Sequence, residues 1–264
     1  MGSPPSRGSA ASVPHVPRSR LPPPLPPATR TVGQLVAEAV KLYGARFWPS
    51  LALGIGPAFL GIAAAELGDP ARILVVVSAG PLVLTASYAG ALALVRPIGR
   101  GRYLTTAFAT GFIAFLPLCV SRLWIFPGIY LLVLAWLALV GLAVPAALVE
   151  RRGFTAALRR GVELARADYV HALGSLATLV ITIFLTGLVL FFALRELSDQ
   201  ALRVAALLAL LVLSPVFVLG AAVLYVDQAA RVESGPRPRR NRDADLHSAV
   251  ESDAAGRSDA EVEP

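Results

Sequence analysis

The stretch VERRGFTAALRRGVELARADY, residues 149–169, lies between two apolar runs, 123–149 and 169–194, that contain no Asp, Glu, Lys or Arg. On a helical wheel of about 100° per residue, Phe154, Leu158, Val162, Ala165 and Tyr169 share one face, with Ala157, Gly161 and Leu164 beside it. Thr155, Arg159, Arg160, Glu163 and Arg166 fill the opposite arc. An apolar face backed by arginines is the pattern of a helix lying in a membrane interface. The arginines of such a helix, Arg159 and Arg160 among them, would face anionic headgroups.

The rest of the chain supplies the membrane. Of its 264 residues, 56% are hydrophobic and 16% charged, whereas a water-soluble domain carries roughly 25% charged residues. Runs without charge cover 47–65, 73–95, 103–121, 123–149, 169–194 and 204–226. Each reaches the ~20 apolar residues that a bilayer crossing requires. The reading is an all-α polytopic integral membrane protein with six transmembrane helices and two interfacial amphipathic helices. The first apolar run begins near Phe47, too late for a cleavable signal peptide. Cys119 is the only cysteine, so the chain has no internal disulfide.

Arginine placement orients the spans. Twenty of the 24 basic residues fall on one side, and Arg72, Arg122, Arg195 and Arg203 on the other. By the positive-inside rule both termini are cytoplasmic. Arginine outnumbers lysine 23 to 1, a bias associated with high-GC bacteria, and the expected location is a bacterial inner membrane. Arg122 separates the third and fourth runs by one residue. It is read as an arginine snorkelling at the outer interface, the alternative being a buried intramembrane charge. Residues 1–30, with nine prolines, and 234–264, basic and then acidic, read as disordered tails flanking a membrane domain at 31–233. The positive charge belongs to membrane loops, and no nucleic-acid partner is expected.

A second amphipathic stretch, TVGQLVAEAVKLYGARF at 31–47, has the same design, with Val32, Val36, Val40, Tyr43 and Phe47 on one face. Thr31 and Gln34 have the spacing of a capping box. A shift of 122 residues superposes it on the first, Val32 on Phe154 and Phe47 on Tyr169. The pattern suggests a same-direction repeat, although any two amphipathic helices share a period. Pro57, Pro81, Pro117, Pro145 and Pro215 interrupt five spans. Such breaks line substrate sites in transporters and are also simply tolerated in membrane helices.

Four segments carry a family resemblance: TVGQLVAEAVKLYGARFWP at 31–49, FPGIYLLVLAWLALVGLAVPAALVE at 126–150, GFTAALRRGVELARADYVHALG at 153–174 and VLYVDQAARVE at 223–233. The chain resembles the membrane domain that accompanies some bacterial glycerophosphoryl diester phosphodiesterases and also occurs alone in polytopic membrane proteins. The family's last motif tends to read Tyr-x-Asp-x-Arg-x-Arg. Here Tyr225, Asp227 and Arg231 keep the pattern and Ala229 replaces the first arginine. Arg160-Gly161 stands where the family often has Arg-Ser.

The phosphodiesterase activity is not implied. It would need a soluble barrel with paired histidines and a metal, whereas this chain has only His15, His171 and His247. No enzyme activity, cofactor or metal is expected. Asp227 reads either as an i,i+4 partner of Arg231 or as a contact to the opening stretch through Glu150 and Arg151–Arg152. The expected role is a non-enzymatic membrane module that organises a partner protein or anionic lipid at the cytoplasmic membrane. The alternative is a transporter or lipid-handling protein with a cavity between half-repeats.

Overall fold

The computed structural model describes residues 27–99, 101–121, 128–194 and 198–234. A short 3-10 turn at Pro27–Thr29 leads into α1 (Val32–Ala45), α2 (Phe47–Ala52), α3 (Ile55–Glu66), α4 (Asp69–Val95) and α5 (Arg102–Val120). Then follow α6 (Gly128–Val140), α7 (Ala143–Leu148), α8 (Phe154–Ala167), α9 (Tyr169–Leu194) and α10 (Asp199–Glu233). Six helical stretches are long and apolar enough to cross a bilayer, α2–α3 and α6–α7 each forming one of them. Large side chains face outward along their length: Phe59 and Leu131 are each 72% exposed and Val189 70%. An apolar surface of that extent needs hydrocarbon around it, and the chain is an all-α, multi-pass membrane protein.

Several helix ends carry side-chain caps, the expected one at Thr31 among them. Thr31 and Gln34 form a capping box at α1, Ser198 caps α10, and Asp168 Oδ1 accepts from the His171 backbone N–H at the start of α9. At α4 the N-cap is Gly68, and Asp69 sits inside the first turn and pairs with Arg72 at 3.4 Å. The terminal boundaries shift as well. Residues 27–30, assigned above to a tail, pack on α10, and α10 runs seven residues past Val226, where its uncharged run ends, to Glu233.

The prolines explain how the spans are joined. Proline has no N–H and so leaves the carbonyl four residues earlier without its helical donor. Pro57 frees the Leu53 carbonyl where the first span breaks into α2 and α3, and Ser87 Oγ of α4 donates to it at 2.9 Å. Pro117 frees Ile113, and the Trp136 indole N–H of α6 donates to that oxygen at 3.2 Å. Pro215 frees Leu211, whose oxygen abuts Gly54 at the α2–α3 break, so close that a Cβ there would collide with it. At Leu53 and Ile113 the freed carbonyls are spent on neighbouring helices.

This arrangement makes a coupled prediction. Trp136→Phe should cost about 1–2 kcal/mol by leaving the Ile113 carbonyl unbonded. Pro117→Ala, which restores an N–H, should remove most of that penalty when both changes are combined. Thermal unfolding of the four proteins in a double-mutant cycle measures the coupling. Purely additive penalties would remove the indole from this role.

The two amphipathic helices start and stop in register, α1 and α8 being 14 residues each and offset by 122, as are the starts of α2 and α9. Their buried positions share the offset: Leu35 and Ala39 match Ala157 and Gly161. Both touch α10, but their main partners differ: α1 packs on α10 and α9 while α8 packs on α7 and α6. In both, the apolar wheel face is only partly covered: Val40 and Phe154 are exposed, Val36 and Leu158 half-buried and Ala165 fully buried. The buried faces mix small residues, Ala39, Ala157, Gly161 and Ala165, with Leu35 and Leu164; the small ones let two helix backbones approach closely.

Candidate functional site

The polar residues singled out in the sequence gather at one end of the bundle. There the N-terminus of α1, the α7–α8 turn, the α8–α9 junction and the last two turns of α10 meet. The chain is brought back to this point because α8 doubles back on α7. Gly161 lies against the backbone of Ala143, where a Cβ would stand 2.6 Å from the Ala143 nitrogen. Two turns on, Tyr169 Oη donates to the Ala135 carbonyl at 3.1 Å.

One half of the site centres on Glu150. Its carboxylate accepts from Arg152 Nε at 2.7 Å, from Arg160 Nε at 3.0 Å and from Tyr225 Oη at 3.3 Å. Arg160 also pairs with Glu163 at 3.0 Å. Desolvation works against the Arg160 charge, but hydrogen bonds and attraction from Glu150, then Glu163, more than offset it and raise its pKa. The sequence reading turned Arg160 toward anionic headgroups, and that is corrected: its side chain is 13% exposed and committed to Glu150. Arg159 is exposed, as expected. Arg151 is exposed and holds a positive φ of 55° in the turn.

The other half centres on α10. Asp227 is fully buried, and its Oδ1 pairs with Arg30 Nη1 at 3.0 Å. Arg231, one turn on, acts on the same carboxylate through space. Its own Nη1 bonds Asp168 Oδ2 at 2.6 Å, and its Nη2 donates to the Arg30 carbonyl at 2.9 Å. Gln228 Nε2 donates to the Asp168 carbonyl at 3.1 Å. The expected contact between α10 and the opening stretch therefore exists, but Tyr225 and Arg231 make it, at Glu150 and Asp168. Asp227 reaches the N-terminal segment instead, because residues 27–31 pass along α10. Arg122 lies outside the described residues.

Sequence reasoning missed Arg30, Gln228 and the clasping role of Asp168. A usable signal for Arg30 was its place immediately before the Thr31 capping box, which fixes the backbone there. The chemistry of the site is mutual neutralisation. Asp168, His171 and Ser175 lie within two turns, but Asp168 is engaged by the His171 backbone N–H and Arg231, and Ser175 is fully buried. Among the described residues no group of three or more His, Cys, Asp or Glu is placed to hold a metal ion.

Inside the bundle, Tyr88, Phe115, Leu137 and Leu224 border an apolar crevice of about 10 Å³. A second, open apolar cleft of about 480 Å³ lies between the end of α5, α6 and Tyr169. No family model, curated protein or solved structure matches the chain.

Proposed function

We propose that this protein is a non-enzymatic membrane module that holds a partner protein or lipid at the cytoplasmic face of a bacterial inner membrane, with both termini on that side. The observation that carries the reading is the closed polar network at one end of the bundle. It fixes four chain segments relative to one another and spends its buried charges internally, leaving exposed arginines at its rim. A rigid end with a basic rim is suited to presenting a surface rather than turning over a substrate. The resemblance to the membrane domain found with glycerophosphoryl diester phosphodiesterases supports it in so far as none of the four matching segments is a catalytic signature.

Transport is less well supported. It needs an internal polar path, whereas the Leu53 and Ile113 carbonyls freed by Pro57 and Pro117 are bonded to neighbouring helices and the internal crevice is about 10 Å³. That is at the lower limit for one water molecule. The open apolar cleft favours lipid handling as the second reading.

Native mass spectrometry of the protein extracted from its own membrane tests the choice. A stoichiometric protein partner or specific lipid is expected. Recovery of a bound soluble solute alone would move the assignment to transport. Reporters fused before Thr31 and after Arg231 should both give cytoplasmic signals, and a split result would remove one span from the topology.

A further inference from the structure

The end of the bundle that carries the polar network also carries three span termini: α4 stops at Val95, α5 starts at Arg102 and α7 stops at Leu148. The loop after α4 and the turn after α7 are tied together, Gly99 N–H donating to the Leu148 carbonyl at 2.7 Å. A Cβ on Gly99 would stand 3.1 Å from that carbonyl, 3.1 Å from the Tyr103 ring and 3.2 Å from Arg151 Cγ. The stem of Arg151 is thus laid against the α4–α5 loop. Arg151 is also the one non-glycine among the described residues at positive φ, a conformation that persists only where surrounding structure holds it and that clusters at ligand-binding positions.

Charge is unevenly shared across these two turns. Glu150 is already engaged by Arg152, Arg160 and Tyr225. Arg96 lies near enough to Tyr225 to act on its hydroxyl through space. Arg96 and Arg151 are both exposed, and neither forms an ion pair with a carboxylate among the described residues. Beside them Arg102 lies over the Tyr103 ring at 5.0 Å.

We propose that Arg96 and Arg151, on the two tied turns, form a binding site for the phosphate of an anionic phospholipid headgroup. The occupant follows from the level of the site. Both arginines stand within three residues of a span terminus, at headgroup depth, with exposed Phe154 three positions on from Arg151. Guanidinium groups bond phosphate oxygens in pairs, and basic groups at this depth attract anionic lipid. The proposal rests on the membrane-module reading and names the lipid it would hold.

The test uses the full chain in nanodiscs of equal phosphatidylglycerol and phosphatidylcholine, with retained lipids counted by native mass spectrometry. The wild type should retain phosphatidylglycerol by roughly 25-fold over phosphatidylcholine, and R96Q/R151Q should fall close to parity, at roughly fivefold lost per arginine. R151G, which relieves the backbone while removing the charge, should lower retention without loss of fold. R203Q, at the opposite end, should match the wild type. The site is overturned if the wild type shows no preference, or if R96Q/R151Q keeps it. It is also overturned if millimolar inorganic phosphate displaces the lipid, which would make this a free-phosphate site. A wild type that still co-extracts a protein partner but shows no phosphatidylglycerol preference overturns this site alone and leaves the module reading standing.

Discussion

Gly161→Leu is expected to unseat α8 from α7 and lower stability by about 2–3 kcal/mol, the range for forcing bulk into a filled space. The cause is that the atoms meeting the new side chain are backbone: the Ala143 nitrogen and Cα stand 2.6 and 2.8 Å from where a Cβ would be. Backbone cannot turn aside as a flexible side chain does. Separating α8 from α7 also pulls Arg160 away from Glu150, so the network should loosen at the same time. Gly33→Ala on α1 is the contrasting case. Nothing lies within 4 Å of the added methyl, so the substitution should gain roughly 0.5–1 kcal/mol of helix propensity. Unfolding midpoints followed by tryptophan fluorescence in detergent check both. A Gly161→Leu protein that melts with the wild type would mean that α8 does not seat on α7 in this way.

Arg30→Ala should cost about 3–5 kcal/mol, because it strands a buried carboxylate rather than merely deleting a contact. Asp227 is fully buried while the Arg30 side chain is 16% exposed, so the penalty falls on the residue that stays. The double variant Arg30→Ala/Asp227→Leu should recover at least half of the loss, since no charge is then left without its partner. Denaturant titration of the singles and the double measures the coupling. A loss below about 1 kcal/mol for Arg30→Ala would class the pair with surface salt bridges and remove the clasp from the fold's stability.

Much of the architecture could be read from residue order because bilayer crossing imposes a local rule, some twenty consecutive residues without charge. The α1 capping box and the 122-residue register of the amphipathic helices are local too, and both are present. What escaped the reading was set by tertiary contact. The break at Leu53–Gly54 lies in an uncharged run, and its proximity to Leu211 is a property of α10. The wheel for α8 found the apolar arc but not which edge meets protein, since that depends on where Ala143 stands. Arg30 and Asp227 are 197 residues apart, with no periodicity to link them. Arg160 looked solvated because its partner Glu150 is ten residues away across a turn rather than one helical turn away.

The clasp between Arg30 and the end of α10 also sets an order of events during synthesis. With 197 residues between Arg30 and Asp227, a ribosome adding roughly 5–20 residues per second leaves the arginine waiting about 10–40 s for its carboxylate. All six spans must enter the bilayer before the first helix can be fastened. An unfinished or misinserted chain therefore presents an untethered N-terminal helix together with Asp168 lacking Arg231. Closure of the clasp therefore coincides with completion of the membrane domain.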